Sequence, residues 1–130
     1  MPQIDLTIPI YQQLMDEISS RIISGRLRPG QQLPSVRELA GDFQVNPNTI
    51  ARAYRELERL GIVFTRRGQG TFVSEQENVL QALKQEKVRQ VLGSFFAEMS
   101  GLGFSAEEAL IKAREFSAKG GEENGIRSGS

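Results

Sequence analysis

Residues 33–74, LPSVRELAGDFQVNPNTIARAYRELERLGIVFTRRGQGTFVS, decide how this chain folds. Ser35 and Glu38 stand at capping-box spacing, which predicts a helix from about Val36 to Phe43 with Val36, Leu39, Ala40 and Phe43 on its apolar face. Gln44 and Val45 leave room only for a tight connection. Asn46 can cap the next helix, whose first position is Pro47, where a missing N–H costs nothing. That helix should run to about Leu60, with Gly61 ending it. Residues 62–65 and 71–73 then read as strands around a basic, glycine-bearing loop, 66–70. Two helices on a tight turn followed by a hairpin is the order of a helix-turn-helix with a wing.

Upstream, Thr7 or Pro9 opens a first helix in which Ile10, Leu14, Ile18 and Ile22 recur every four residues, and Gly25 stands where it would stop. RLRPGQQ, residues 26–32, is a turn punctuated by Pro29-Gly30. Downstream the texture changes to a polar, glutamine-rich helix that carries Leu80, Leu83, Val88, Val91, Leu92, Phe95 and Met99 at helical spacing until Gly101 and Gly103 break it. Ser105 and Glu108 repeat the capping box for a last helix over residues 106–119. The glycine- and serine-rich end is expected to be disordered. The expected fold class is mainly α with a small β-hairpin wing. Residues 1–74 form the winged helix-turn-helix, 75–118 a two-helix dimerisation region, and 119–130 a tail.

Composition removes several function classes. The chain of 130 residues has no cysteine and no histidine, so disulfides, thiolate metal sites and the commonest catalytic bases are excluded. No enzyme constellation, cofactor motif or metal site is visible. No apolar run is long enough for a bilayer, and the first residues lack the basic start and apolar core of a signal peptide. The expected location is the cytoplasm. Net charge is zero, with 16 basic and 16 acidic residues, which argues against indiscriminate nucleic-acid binding. Residues 1–74 hold 9 Arg and 7 acids (+2), and residues 75–130 hold 7 bases and 9 acids (−2). The placement of the arginines therefore matters more than their number.

On the helix after Asn46, at about 100° per residue and with Asn48 at zero, Arg52, Arg55 and Arg59 fall within about 40° of it. Ile50, Ala53, Tyr54, Leu57 and Leu60 occupy the opposite arc, between about 120° and 240°. Taken alone, such a stripe reads as a solvated face, because Glu56 and Glu58 flank it. Its context reverses that weighting. The stripe starts directly after Asn46-Pro47-Asn48-Thr49, whose small polar side chains and free N–H groups sit at an electropositive helix end suited to a phosphate or a base edge. Arg52 is best placed for base edges or nearby phosphates, and Arg59 for backbone or solvent.

Arg66 and Arg67 adjoin on a turn made flexible by Gly68 and Gly70, an arrangement that invites a phosphate or a narrow minor groove. The loop has neither spacing of a nucleotide-binding glycine motif. Arg37 could reach a phosphate or pair with Glu38, Asp42 or Glu56, and the two readings stand even.

These residues resemble the winged helix-turn-helix domain of the GntR family of bacterial transcription regulators: LPSVRELA, then VNPNTIARAYRELERLGIV, then the RRGQGTFV wing. The short helical C-terminal region is similar to the YtrA-like subfamily, and the length points away from relatives fused to an aminotransferase-like domain. By matching position the resemblance implies DNA contacts from Arg37, Asn46, Asn48, Thr49, Arg52, Arg67, Gly68 and Gln69. Many relatives carry an arginine where this chain has Ala51, so contacts are expected to shift onto Arg52 and Arg55. The resemblance further implies a homodimer on a two-fold-symmetric operator, acting as a repressor.

A helix with Leu80, Leu83, Val88, Val91, Leu92, Phe95, Phe96 and Met99 is too apolar to stand in water, and two per subunit could pack as a bundle across a two-fold axis. The competing reading folds these helices back on their own winged domain. No residue localises a small-molecule effector. The only apolar candidate is a crevice near Phe95, Phe96, Met99 and Phe104, for which a role as dimer core is favoured. The expected function is sequence-specific binding of double-stranded operator DNA, with no membrane partner. The alternative is a winged-helix protein-interaction module without DNA binding.

Overall fold

Pro9 caps a first helix without any side-chain hydrogen bond, and α1 (Ile10–Ile23) buries Leu14, Ile18 and Ile22. Ile10, expected in the same row, is more than one-third exposed, because it lies on the first turn beyond the packed surface. The computed structural model describes residues 7–123. After α1 come α2 (Val36–Phe43), α3 (Pro47–Arg59), β1 (Val63–Arg66), β2 (Gly70–Val73), α4 (Glu77–Gly101) and α5 (Ala106–Glu123).

The Pro29-Gly30 turn closes when Gln31 N–H donates to Arg28 O at 3.0 Å, with φ positive at Gly30, the requirement of a type II turn. The chain then runs along the outer edge of β2. Gly30 donates to Val73 O, Val73 to Gln31 O and Leu33 to Thr71 O, so this edge is covered rather than left open.

The Ser35 box forms as expected. Glu38 N–H donates to Ser35 Oγ at 3.1 Å, and Ser35 N–H donates to Glu38 Oε1 at 3.0 Å. The backbone bond from Ser35 first, then the one to its hydroxyl, holds the Glu38 carboxyl below its usual range. α2 ends on Gln44, whose φ of 56° is the left-handed conformation that lets Val45 N–H return to Ala40 O.

α3 packs on α1, α2 and β1. Ile50, Ala53 and Leu57 are fully enclosed, and Tyr54 is nearly so. Leu60, placed on the same arc by its angle, is 49% exposed, because it caps the helix beyond the last packed turn. Tyr54 Oη donates to Pro34 O at 2.6 Å and fixes α3 against the segment that leads into α2. Burial first, with Glu38 adding, pushes this phenol up to about 12. Val63 and Val73 pair across the hairpin and close the core.

The chain divides into two compact units after Glu86, inside α4 and twelve residues later than the expected boundary at residue 74. The reason is packing. Val79, Leu80 and Leu83 lie against the core of the first unit. Leu80 and Leu83, grouped above with the dimerisation residues, therefore belong to the surface of their own winged domain. In the second unit Phe95 and Phe96 meet edge to face at 5.1 Å. Ser105 and Glu108 cap α5, with bonds of 2.9 and 3.1 Å. Val88, Val91, Leu92, Leu102, Leu110, Ile111 and Phe116 are each about half exposed or more. The helix runs on to Glu123, past the expected start of the tail at residue 119. Residues 124–130, where the rest of that expectation falls, lie outside the described residues, as do residues 1–6.

Candidate nucleic-acid interface

The N-terminus of α3 is built by Asn46 and Pro47. Asn48 N–H donates to Asn46 Oδ1 at 2.8 Å, and Thr49 N–H donates to Asn46 O at 2.9 Å. Pro47 has no N–H. The N–H groups of Asn48 and Thr49, expected to be free, are thus engaged within the cap, and the attraction of this end for anions rests mainly on the helix dipole and on side chains. The Asn46 carboxamide spends its oxygen on the cap and keeps its NH2 as the outward donor.

Along the stripe the arginines separate into distinct environments. Arg52 is exposed, and its guanidinium carbon sits 3.9 Å from the centre of the Tyr11 ring on α1. Pro9, Ile10, Tyr11, Asn48, Thr49 and Arg52 line a groove of about 500 Å³ at this junction. Arg55 is exposed and has no ion-pair partner among the described residues. Arg59, expected to meet backbone or solvent, is held by Glu56 through bonds of 3.1 and 3.3 Å. Arg37 is also exposed, and among the described residues none of Glu38, Asp42 and Glu56 pairs with it. Glu38 is engaged by Ser35, and Glu56 by Arg59.

The hairpin pairs Val63 with Val73, Phe64 with Phe72, Thr65 with Thr71 and Arg66 with Gly70. Arg66 therefore belongs to β1 and not to the loop. Its guanidinium lies over Phe64 and Phe72, which stack 5.6 Å apart. That platform explains how adjacent arginines are tolerated: one packs on rings and only Arg67 stands at the tip. The turn closes by Gln69 N–H to Arg66 O at 2.9 Å, with positive φ at Gly68 in the position where a type II turn demands it. At Gly70, where φ is positive, a Cβ would come within 2.5 Å of Gln32 Nε2, so a side chain there would strain the backbone and displace the Gln32 amide.

Two supports were not legible in the residue pattern. Gln32 Nε2 donates to Gln69 O at 2.8 Å and holds the tip from the segment before α2. Glu58, read as a flanking acid, accepts from Thr65 N–H at 3.1 Å and Oγ1 at 3.3 Å, tying β1 to α3. The wing is thereby fixed to the helix it accompanies. In the second unit, a cavity of about 710 Å³ is lined by Phe95, Met99, Lys112, Ala113, Glu115, Phe116, Lys119 and Gly120. Phe95 and Met99 of the expected crevice line it. Phe96 and Phe104 do not, and Phe104 instead carries Lys112 over its ring. Among the described residues no group of acids could hold a metal ion, and no helix is long and apolar enough to cross a membrane.

Residues 10–73 match the family described as bacterial regulatory proteins, gntR family. The chain is similar to the uncharacterized HTH-type transcriptional regulator YhcF of Bacillus subtilis, 49% identical over 112 residues that cover 86% of this chain and 93% of that one. The chain belongs to the GntR family. It is also similar to the HTH-type transcriptional repressor YtrA of Bacillus subtilis, 39% identical over 129 residues, or 95% of this chain and 99% of that one. Among solved structures, a GntR family transcriptional regulator from Listeria monocytogenes superposes with a TM-score of 0.79 at 38% identity, covering 86% of this chain and 98% of its own. The crystal structure of AraR(DBD) in complex with operator ORX1 superposes with a TM-score of 0.51 at 36% identity, covering 57% of this chain and 89% of that chain. GntR membership fits the winged helix-turn-helix and the helical C-terminal region seen here.

Proposed function

We propose that this GntR chain is a cytoplasmic transcriptional repressor that binds a two-fold-symmetric DNA operator as a homodimer. The observation that carries the reading is the outward row of α3, where Asn48, Arg52 and Arg55 have no carboxylate partner among the described residues, with a wing anchored to the same helix through Glu58. α3 enters a major groove, with Asn46, Asn48, Thr49 and Arg52 near base edges. Arg37, Arg55 and Arg67 hold phosphates, and Arg66 with the backbone around Gly68 and Gln69 lies at the adjacent minor groove. The operator complex of AraR(DBD) and the repressor name of YtrA support this direction.

Dimerisation is assigned to the second unit. Val88, Val91 and Leu92 on α4 and Leu110, Ile111 and Phe116 on α5 leave an apolar surface that water does not favour, and Phe95, Phe96 and Met99 extend it. Half-sites are then expected about 34 Å apart, or a multiple of that. The cavity beside Phe95 and Met99 is assigned to this packing, and no effector is placed in it.

Selection of bound sequences from a random duplex pool, followed by fluorescence anisotropy on the winner, tests the reading. A palindromic site bound by a dimer is expected, and Arg52→Ala with Arg67→Ala together should abolish binding while the sedimentation mass is unchanged. Absence of any salt-dependent DNA binding by the wild type would transfer the chain to the protein-interaction alternative.

A further inference from the structure

We infer that Tyr11, on the first turn of α1, is a positioning residue for operator readout: its ring is the platform that presents Arg52 to a base edge. The inference rests on the reading that Arg52 makes a base contact.

On the α3 wheel Arg52 lies about 40° and Thr49 about 100° from Asn48, so Arg52 occupies the edge of the stripe that faces α1. There its guanidinium carbon stands 3.9 Å from the Tyr11 ring centre. Stacking engages one π face of a planar guanidinium and leaves its N–H donors pointing outward in the plane, the geometry that a guanine edge accepts in pairs. The ring itself is well fixed. Tyr11 is half-buried against the core of the first unit, and α1 begins beside it with Gln12 and Gln13 N–H groups on Pro9 O and Gln13 Nε2 on Ile8 O. Among the described residues its hydroxyl meets only the Gln12 amide, at 3.5 Å, so the face of the ring and not the phenol carries the contact with Arg52.

The groove of about 500 Å³ between the starts of α1 and α3 opens at this stack and leaves space for a base edge to approach. Neighbouring arginines lack such a seat. Arg59 is held by a carboxylate, and Arg55 has neither ring nor carboxylate among the described residues. An arginine ordered before binding surrenders less side-chain entropy when it docks, and that advantage appears only where its geometry is read. Tyr11 should therefore raise operator affinity without raising affinity for arbitrary DNA.

The test uses the full chain, the operator recovered by selection, and a scrambled duplex of equal length. Tyr11→Leu is expected to weaken operator binding about tenfold per dimer, from two lost cation–π contacts, and to leave the scrambled duplex unaffected. Tyr11→Phe should stay within about twofold of wild type, since it keeps the ring. In an Arg52→Ala background Tyr11→Leu should cost nothing further. Equal losses on both duplexes, or a full additional loss in the Arg52→Ala background, would overturn the platform. A loss of preference in Arg52→Ala without one in Tyr11→Leu would overturn the platform and leave the base contact standing. Unchanged preference in Arg52→Ala would overturn both. The wild type supplies a check independent of how the variants fold. The Arg52 side-chain Nε–H resonance should show a ring-current shift that persists when operator is added, and its disappearance on binding would refute the role of Tyr11.

Discussion

Replacing Arg67 with alanine should flatten the salt dependence of operator binding by an amount the structure sets. The chain presents Arg37, Arg55 and Arg67 exposed and without a carboxylate partner among the described residues. Arg59 is neutralised by Glu56, Arg66 rests on two phenylalanine rings, and Arg52 is assigned to a base. In the proposed homodimer three such groups per chain would give about six phosphate contacts, and so a slope of log K against log salt near −5.4. Raising salt from 50 to 200 mM should then weaken wild-type binding by about two-thousandfold. Arg67→Ala removes two contacts per dimer, so its slope should be near −3.6 and its loss over the same range about 150-fold. Fluorescence anisotropy of a labelled operator duplex across that range measures both. The double change Glu56→Gln, Arg59→Gln removes a pair that is already neutral and should leave the slope at the wild-type value. An unchanged slope in Arg67→Ala, or an equal flattening in the double variant, would refute the assignment of the wing tip to phosphate.

The interior and the supports of the site give further expectations. Tyr54→Phe removes the donor to Pro34 O and should cost about 1–1.5 kcal/mol, read as a fall of several degrees in Tm. The folded-state value of that phenol lies above its ordinary 10, so its contribution is complete below pH 10 and lost as pH rises from 10 to about 12. The Phe variant should lack that alkaline loss in chemical denaturation. Glu58→Ala frees Thr65 and should weaken operator binding about fivefold while speeding exchange of the Thr65 amide, with unaltered exchange counting against the anchor. A chain ended at residue 86 should fold and sediment as a monomer. One ended at residue 74 should melt several degrees lower, because Val79, Leu80 and Leu83 are stripped from the core.

The helices of the winged domain were legible because their ends are chemically marked. Ser35 and Asn46 cap as their spacing requires, as Ser105 does in the second unit, and the α3 arc places Ile50, Ala53, Tyr54 and Leu57 in the core. What stayed hidden depends on partners distant in sequence. Arg52 meets Tyr11 and Gln69 meets Gln32 only after α1 and the segment before α2 have packed, and neither pairing leaves a periodic trace. Helical spacing also does not say which surface covers an apolar row. Leu80 and Leu83 share their period with Val88 and Val91, yet the first two lie on the winged core and the latter are exposed. α5 continues through two glycines that cost about 1 kcal/mol each relative to alanine, a penalty that marks a weak helix end without fixing where it falls.

The central claim, that the α3 face and wing hold operator DNA, is tested most directly by following backbone amide resonances of the full-length protein as operator duplex is added. The largest shifts are expected at Arg37, Asn46 to Arg55 and Arg66 to Gln69, with little change at Val88, Val91, Leu110 and Phe116. Shifts concentrated on α4 and α5, or none at the start of α3, would contradict it.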